Sequence, residues 1–111
     1  MAKNLEVSLL LDYYGELLTD RQRLIADYYF NDDLSLAEIA EIEGITRQAV
    51  RDLVRRTETQ LEGFENRLHF ARRLYDISEG LKRVHDDIIS GVDAQKIAEK
   101  CNDMIKYIMK E

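Results

Sequence analysis

Arginine recurs at every fourth position in Arg47, Arg51 and Arg55, with Gln48 beside the first and Thr46 immediately before it. On a helix this spacing stacks the guanidinium groups in one column. Like charges four residues apart cost an isolated helix roughly a few tenths of a kcal/mol per pair, a cost that an anionic partner would offset. Arginine has the donor geometry for guanine and glutamine the donor–acceptor pair for adenine, so Arg47, Gln48 and Arg51 are the candidate readers of base edges in duplex DNA. Arg55, one turn further along, would meet phosphate, as would Thr46 and the amino end of the helix. Arg56 differs, since Asp52 lies four residues before it and is spaced to pair with it. The competing reading is a solvated charged face neutralised by Glu41, Glu43, Glu58 and Glu62.

A column of this kind needs a rigid support, and the residues before it have the spacing of a helix-turn-helix. Ser35-Leu36-Ala37-Glu38 reads as a capping box, in which the serine hydroxyl and the glutamate carboxylate each accept from the other residue's backbone amide. It opens a short helix carrying Leu36, Ile39 and Ala40. Ala40 lies where two helices would cross closely, and Gly44, four residues later, suits the left-handed residue that ends the first helix. Thr46 is then the N-cap of the second helix. Ile45, Val50 and Leu53 supply the apolar contacts that fix it, and Ile39 packs from the other side. The second helix is the reading element, because a helix-turn-helix presents the amino-terminal part of that helix to the major groove.

Helical periodicity extends almost throughout the chain, with no sustained two-residue alternation, and the 111 residues include no proline. An all-α helical bundle is expected, with a long helix and further C-terminal helices. A first helix from about Leu5 to Leu17 would bury Leu5, Leu9, Tyr13 and Leu17, with Leu10 and Tyr14 widening that face. A second capping box at Thr19 and Gln22 starts a helix whose apolar face is Leu24, Ile25, Tyr28 and Tyr29, and Asn31-Asp32-Asp33 ends it. From Val50 the apolar or small positions run in alternating steps of four and three through Val54, Thr57, Leu61, Phe64, Leu68, Ala71, Tyr75 and Ser78, as in a heptad seam. That seam either docks on the chain's own helices or pairs two copies.

A second stripe, Phe70, Leu74, Ile77, Leu81, Val84 and Ile88, lies nearly opposite. The burying partner therefore changes near residue 70, by one long helix passing between neighbours or by a bend between about Asn66 and Arg73. Ser90-Gly91 punctuates, and Ala94, Ile97, Ala98, Cys101, Ile105 and Ile108 define a last amphipathic helix. Residues 1–70 are read as the helix-turn-helix domain and residues 71–111 as a helical extension of the same compact unit.

Composition excludes several classes of function. With 45% hydrophobic and 34% charged residues the chain is ordinary globular material, able to bury a little under ~70% of its unfolded surface. No apolar run approaches the ~20 residues that a bilayer requires, and residues 1–6 lack a leader's apolar stretch, so no membrane partner and a cytoplasmic address are expected. One cysteine and two histidines without CxxC spacing make neither a disulfide nor a zinc site. Cys101 reads as a small core hydrophobe, and His69 and His85, sixteen residues apart, have no acid or nucleophile partner. Asp32-Asp33 and Asp86-Asp87 lack calcium-loop spacing. Tyr13-Tyr14 and Tyr28-Tyr29 read as core packing for at least one of each pair rather than stacking platforms. With no glycine-rich phosphate loop the chain should not bind GTP, and no enzyme activity, cofactor or metal is expected. A net charge of −6 repels nucleic acid over the whole molecule, so the position of the basic residues matters more than their number.

Leu18 through Arg56 is similar to the promoter-reading C-terminal domain of bacterial sigma factors. Asp32-Asp33-Leu34-Ser35-Leu36-Ala37-Glu38-Ile39-Ala40-Glu41, with Gly44-Ile45-Thr46-Arg47-Gln48-Ala49-Val50 and Arg55-Arg56-Thr57-Glu58, resembles more closely still the YlxM family of small bacterial helix-turn-helix proteins. The resemblance covers about residues 5 to 70. It implies a DNA-binding regulatory protein, and its motif falls here on Ser35, Ala40, Gly44, Arg47, Gln48, Val50 and Arg55. It also implies a link to the signal recognition particle pathway, whose genes commonly neighbour those of the family, and hence an alternative partner among that machinery's proteins or RNA. A homodimer is expected, because a short helical chain with several apolar faces often hides one at a twofold interface.

Overall fold

The computed structural model describes residues 5–109, apart from the Leu5 side chain. Leu5 as part of a buried stripe, and the reading of residues 1–4 as leaderless, lie outside the described residues. Among the described residues six helices run in order: α1 (Leu5–Tyr14), α2 (Asp20–Ala26), α3 (Leu36–Glu43), α4 (Arg47–Leu68), α5 (Phe70–Ile89) and α6 (Ala94–Met109). A 3-10 turn, Gly15–Leu17, follows α1, and a π-helical turn, Asp27–Asn31, follows α2. Among the described residues there is no strand, and the architecture is the all-α one that the sequence predicts. The chain divides into two compact units, one ending at Ala71 and the other beginning at Arg72.

The first unit is organised around α4. Val50, Val54, Thr57 and Leu61 are each wholly buried along one edge of that helix. Val50 and Val54 join Ile25, Tyr29, Ile39 and Ala40 in one apolar cluster, whereas Leu61 joins Val7, Leu10, Leu11, Tyr14 and Leu18 in another. Phe30 touches both. Thr57 is satisfied without a side-chain partner, its hydroxyl donating to the Leu53 carbonyl at 2.8 Å. Burying each such aliphatic side chain contributes about 1.5–3 kcal/mol. The first half of the seam therefore docks on the chain's own helices.

Three expectations need correction, the first being Leu24, expected on the apolar face of α2 but 42% exposed. The buried face of α1 is Val7, Leu10, Leu11 and Tyr14, while Leu9, Tyr13 and Leu17 are 46%, 38% and 58% exposed. The seam also fails beyond Phe64, because Leu68 and Tyr75 are exposed and only Ala71 is buried. Its failure has a local cause. His69 takes a left-handed conformation, with φ +54°, which ends α4 inside the window where a bend was one of the two possibilities.

The junction is held by a small polar network. Amides in the first turn of a helix have no intrahelical acceptor. The Phe70 amide donates to the Tyr14 hydroxyl at 3.1 Å, and the Ala71 amide donates to Glu65 Oε1 at 3.0 Å. The Tyr14 hydroxyl in turn donates to Glu65 Oε1 at 2.6 Å. One carboxylate and one phenol thus cap the start of α5, while the Tyr14 ring lies against Phe64 and Phe70.

In the second unit, Gly91, at φ +77°, turns the chain between α5 and α6. Arg73 donates to the Ile108 carbonyl at 2.9 Å and Tyr107 to Asp76 at 2.9 Å. Lys100 pairs with Asp87 nearer the turn. Gly80 leaves room for Met104, whose sulfur lies 2.8 Å from where a Cβ would stand. Those contacts run antiparallel along a two-helix hairpin.

Glu65→Ala should lower unfolding free energy by about 1–3 kcal/mol in urea titration, since it leaves the Ala71 amide and the Tyr14 hydroxyl without their acceptor. Burial first, and the Glu65 hydrogen bond second, push the Tyr14 hydroxyl above the usual tyrosine range. The folded chain then holds this proton more tightly than the unfolded one. Its contribution to stability is intact below about pH 10 and is lost as pH rises through the folded-state titration, and Tyr14→Phe should flatten that alkaline loss.

Candidate nucleic-acid interface

The segment from Ser35 to Leu53 folds as its local signals dictate. Ser35 accepts from the Glu38 amide at 3.0 Å, and Glu38 accepts from the Ser35 amide at 3.0 Å, so the capping box is complete. Ile39 is wholly buried and Ala40 is 7% exposed. Gly44 sits at φ +66°, ψ +35°, and the amides of Gly44 and Ile45 converge on the Ala40 carbonyl. That six-to-one bond from Ile45, made across a left-handed glycine, is a Schellman-type end. Ile45 and Leu53 are half-buried against the cluster that contains Ile39, Ala40 and Val50.

Thr46 caps α4 as expected, its hydroxyl oxygen accepting from the Ala49 amide at 3.0 Å. The hydroxyl proton remains free to donate outward. Because Val50 and Val54 are wholly buried, the helical rotation puts the arginine column toward solvent. Arg47, Gln48 and Arg55 are exposed and Arg51 is half-buried. Arg47, Gln48, Arg51 and Arg55 thus lie on the first three turns of α4, while of the residues expected to support it Ile39, Ala40 and Val50 are buried, Ile45 and Leu53 half-buried, and Ser35 and Gly44 exposed at the two ends of α3.

One feature of this surface differs from expectation. Asp52 accepts from the Gln48 side-chain amide at 2.9 Å instead of pairing with Arg56. Gln48 must leave that contact, or share it, to read a base. The four-residue spacing of Gln48 and Asp52 carried that signal in the sequence. Glu58, one of the carboxylates of the competing reading, is held above the usual carboxylate range by burial first and the Glu62 carboxylate second, while the Arg55 guanidinium pulls the other way.

Residues considered for other chemistry are scattered. Cys101 is a half-buried free thiol on α6. His69 is the exposed end of α4, and exposed His85 lies 3.2 Å from Asp86. Among the described residues, no group of three His, Cys, Asp or Glu side chains is arranged to hold a metal ion, and no helix is long and apolar enough to cross a membrane. Tyr14 and Tyr29 are each 3% exposed, so one of each tyrosine pair serves the core.

A short capped helix, a left-handed glycine turn and a second helix that buries one edge while displaying arginines on the other define a small all-α helix-turn-helix protein. Comparison with known proteins agrees. The family model described as "Putative helix-turn-helix protein, YlxM / p13 like", the UPF0122 family, matches residues 1–105. A UPF0122 protein of Clostridium kluyveri is 41% identical over 109 residues, covering 98% of this chain and 97% of the relative. Another, from Clostridium perfringens strain SM101, is 44% identical over 108 residues, covering 97% and 91%. A third, from Shouchella clausii, is 39% identical over 108 residues, covering 97% and 95%. The chain belongs to the UPF0122 family of YlxM-like helix-turn-helix proteins.

Gly44→Ala should cost about 1–2 kcal/mol in thermal or urea unfolding, because a Cβ there meets nothing within 4 Å and the penalty is that of the left-handed backbone alone. Gly44→Asn, which tolerates this conformation, should cost clearly less.

Proposed function

We propose that this protein binds duplex DNA through the amino-terminal half of α4 and acts as a regulator, working as a homodimer. The observation that supports this most directly is the arrangement of α4, in which Val50 and Val54 are sealed below while Arg47, Gln48 and Arg55 are exposed above. Arg47, Gln48 and Arg51 read base edges in the major groove. Thr46, Arg55 and the amino end of α4 hold phosphate.

A second reading is favoured by the distribution of charge. Residues 71–111 carry eight basic and eight acidic residues, so the whole net charge of −6 belongs to residues 1–70. Under this reading the helix-turn-helix is a scaffold, and acidic side chains such as Glu38, Glu41 and Glu62 meet a basic protein, or the same scaffold meets structured RNA, in the signal recognition particle machinery. Glu38 is already engaged with the Ser35 amide, whereas Glu41 and Glu62 are exposed.

Fluorescence anisotropy of a labelled duplex, titrated at several salt concentrations, separates the two. DNA binding predicts affinity that falls steeply with salt and disappears in Arg47→Ala/Arg51→Ala. Arg51→Ala alone should weaken specific binding by about 1–3 kcal/mol and relax preference at one base position, while Arg55→Ala should reduce the salt slope by about 1 and leave preference unchanged. Glu58→Gln should strengthen binding, since it removes a negative charge one turn from Arg55 that would repel phosphate. Absence of binding at low salt would sink the DNA reading and turn attention to the acidic surface.

A further inference from the structure

We infer that the α5–α6 hairpin pairs with the same hairpin of a second copy of this chain, closing a four-helix arrangement over its exposed apolar stripes. The inference rests on the homodimer reading above and names the surface that carries it.

A two-helix hairpin can shield only one side of each helix. On α5, Leu74, Ile77 and Val84 are half-buried, but Leu81 and Ile88, on the same stripe, are 58% and 60% exposed. On α6 none of the residues is fully buried, and Ile105 and Ile108 are 55% and 42% exposed. Apolar side chains recurring at three- and four-residue steps along both helices of a hairpin form the inner face of a bundle that lacks its other half.

Charge selects the occupant. Residues 72–109 hold seven basic and seven acidic side chains, so this unit is neutral. Many of these charges are engaged within the hairpin: Arg72 with Asp76, Lys82 with Glu79, Lys100 with Asp87, and Arg73 with the Ile108 carbonyl. A strongly acidic or basic partner would meet no net charge here, and would leave the stripes uncovered. A second copy brings matching apolar stripes and no net charge to repel, while the negative charge of each chain stays in residues 1–70. A neutral hairpin equally lacks the basic flank that would draw it to an anionic lipid surface.

The test is light scattering after size-exclusion chromatography on the full chain between about 1 and 100 µM, with circular dichroism as the check on folding. The wild type and Ile42→Glu, a substitution at an exposed site on α3, should both show twice the 13.0 kDa chain mass. Leu81→Glu/Ile88→Glu should show the single-chain mass with unchanged helicity. A wild type that stays monomeric throughout would overturn both the homodimer reading and this surface. A dimer that survives Leu81→Glu/Ile88→Glu, or is lost in a folded Ile42→Glu, would overturn the surface alone. Should Leu81→Glu/Ile88→Glu lose helicity, Leu81→Ala/Ile88→Ala decides: dimerisation at least about tenfold weaker is expected, and an unchanged dissociation constant would contradict the inference.

Discussion

The burial of one edge of α4 is the constraint on which the first unit depends. Val50 and Val54 seal the cluster under the helix-turn-helix, Leu61 seals the cluster against α1, and Thr57 sits between them with its hydroxyl returned to the Leu53 carbonyl. A helix fixed along one edge cannot rotate, so the side chains on its other edge are placed as firmly as the core is packed. That is why a column of arginines, which an isolated helix would disfavour, is held in place here. The cap at Thr46 and the left-handed turn at Gly44 fix where this helix begins, and hence which residues lie at its amino end.

Locally encoded features were legible in the sequence. Both capping boxes, the glycine turn and the Thr46 cap each involve residues within five positions of one another, and each forms as the residue types require. The face of α1 was not legible in the same way. Val7, Leu9, Leu10 and Leu11 offer apolar side chains in nearly every direction, so periodicity alone does not select the buried side; tertiary contact with Leu61 and Ala26 does. The junction network was beyond reach for a different reason. Tyr14 lies 51 residues from Glu65 and 56 from Phe70, and no local pattern announces a phenol and a carboxylate that cap a distant helix. Among the candidate interface residues, type and spacing were readable, but the engagement of Gln48 by Asp52 depends on competing partners that only the folded structure ranks.

Net charge and local charge point in opposite directions in this molecule. The acidic excess lies wholly in the residues that also carry the arginine column. At physiological ionic strength the Debye length is about 8 Å, so a groove-sized patch of arginines acts largely on what touches it, while the acidic surroundings reduce long-range attraction. Such a protein would associate with DNA more slowly than a uniformly basic one and rely on close contacts. The neutral second unit lies outside that conflict, with hydrophobic burial as its unmet demand.

Backbone amide chemical shifts of isotope-labelled protein, followed during titration with a duplex, test whether the exposed edge of α4 reads nucleic acid. A reading surface there predicts perturbations concentrated at Thr46 to Arg55, with the amides of Val54 and Leu61 reporting little beyond transmitted effects. Shifts confined to the acidic positions Glu41 and Glu62, or no shifts at low salt with a folded spectrum throughout, would contradict it.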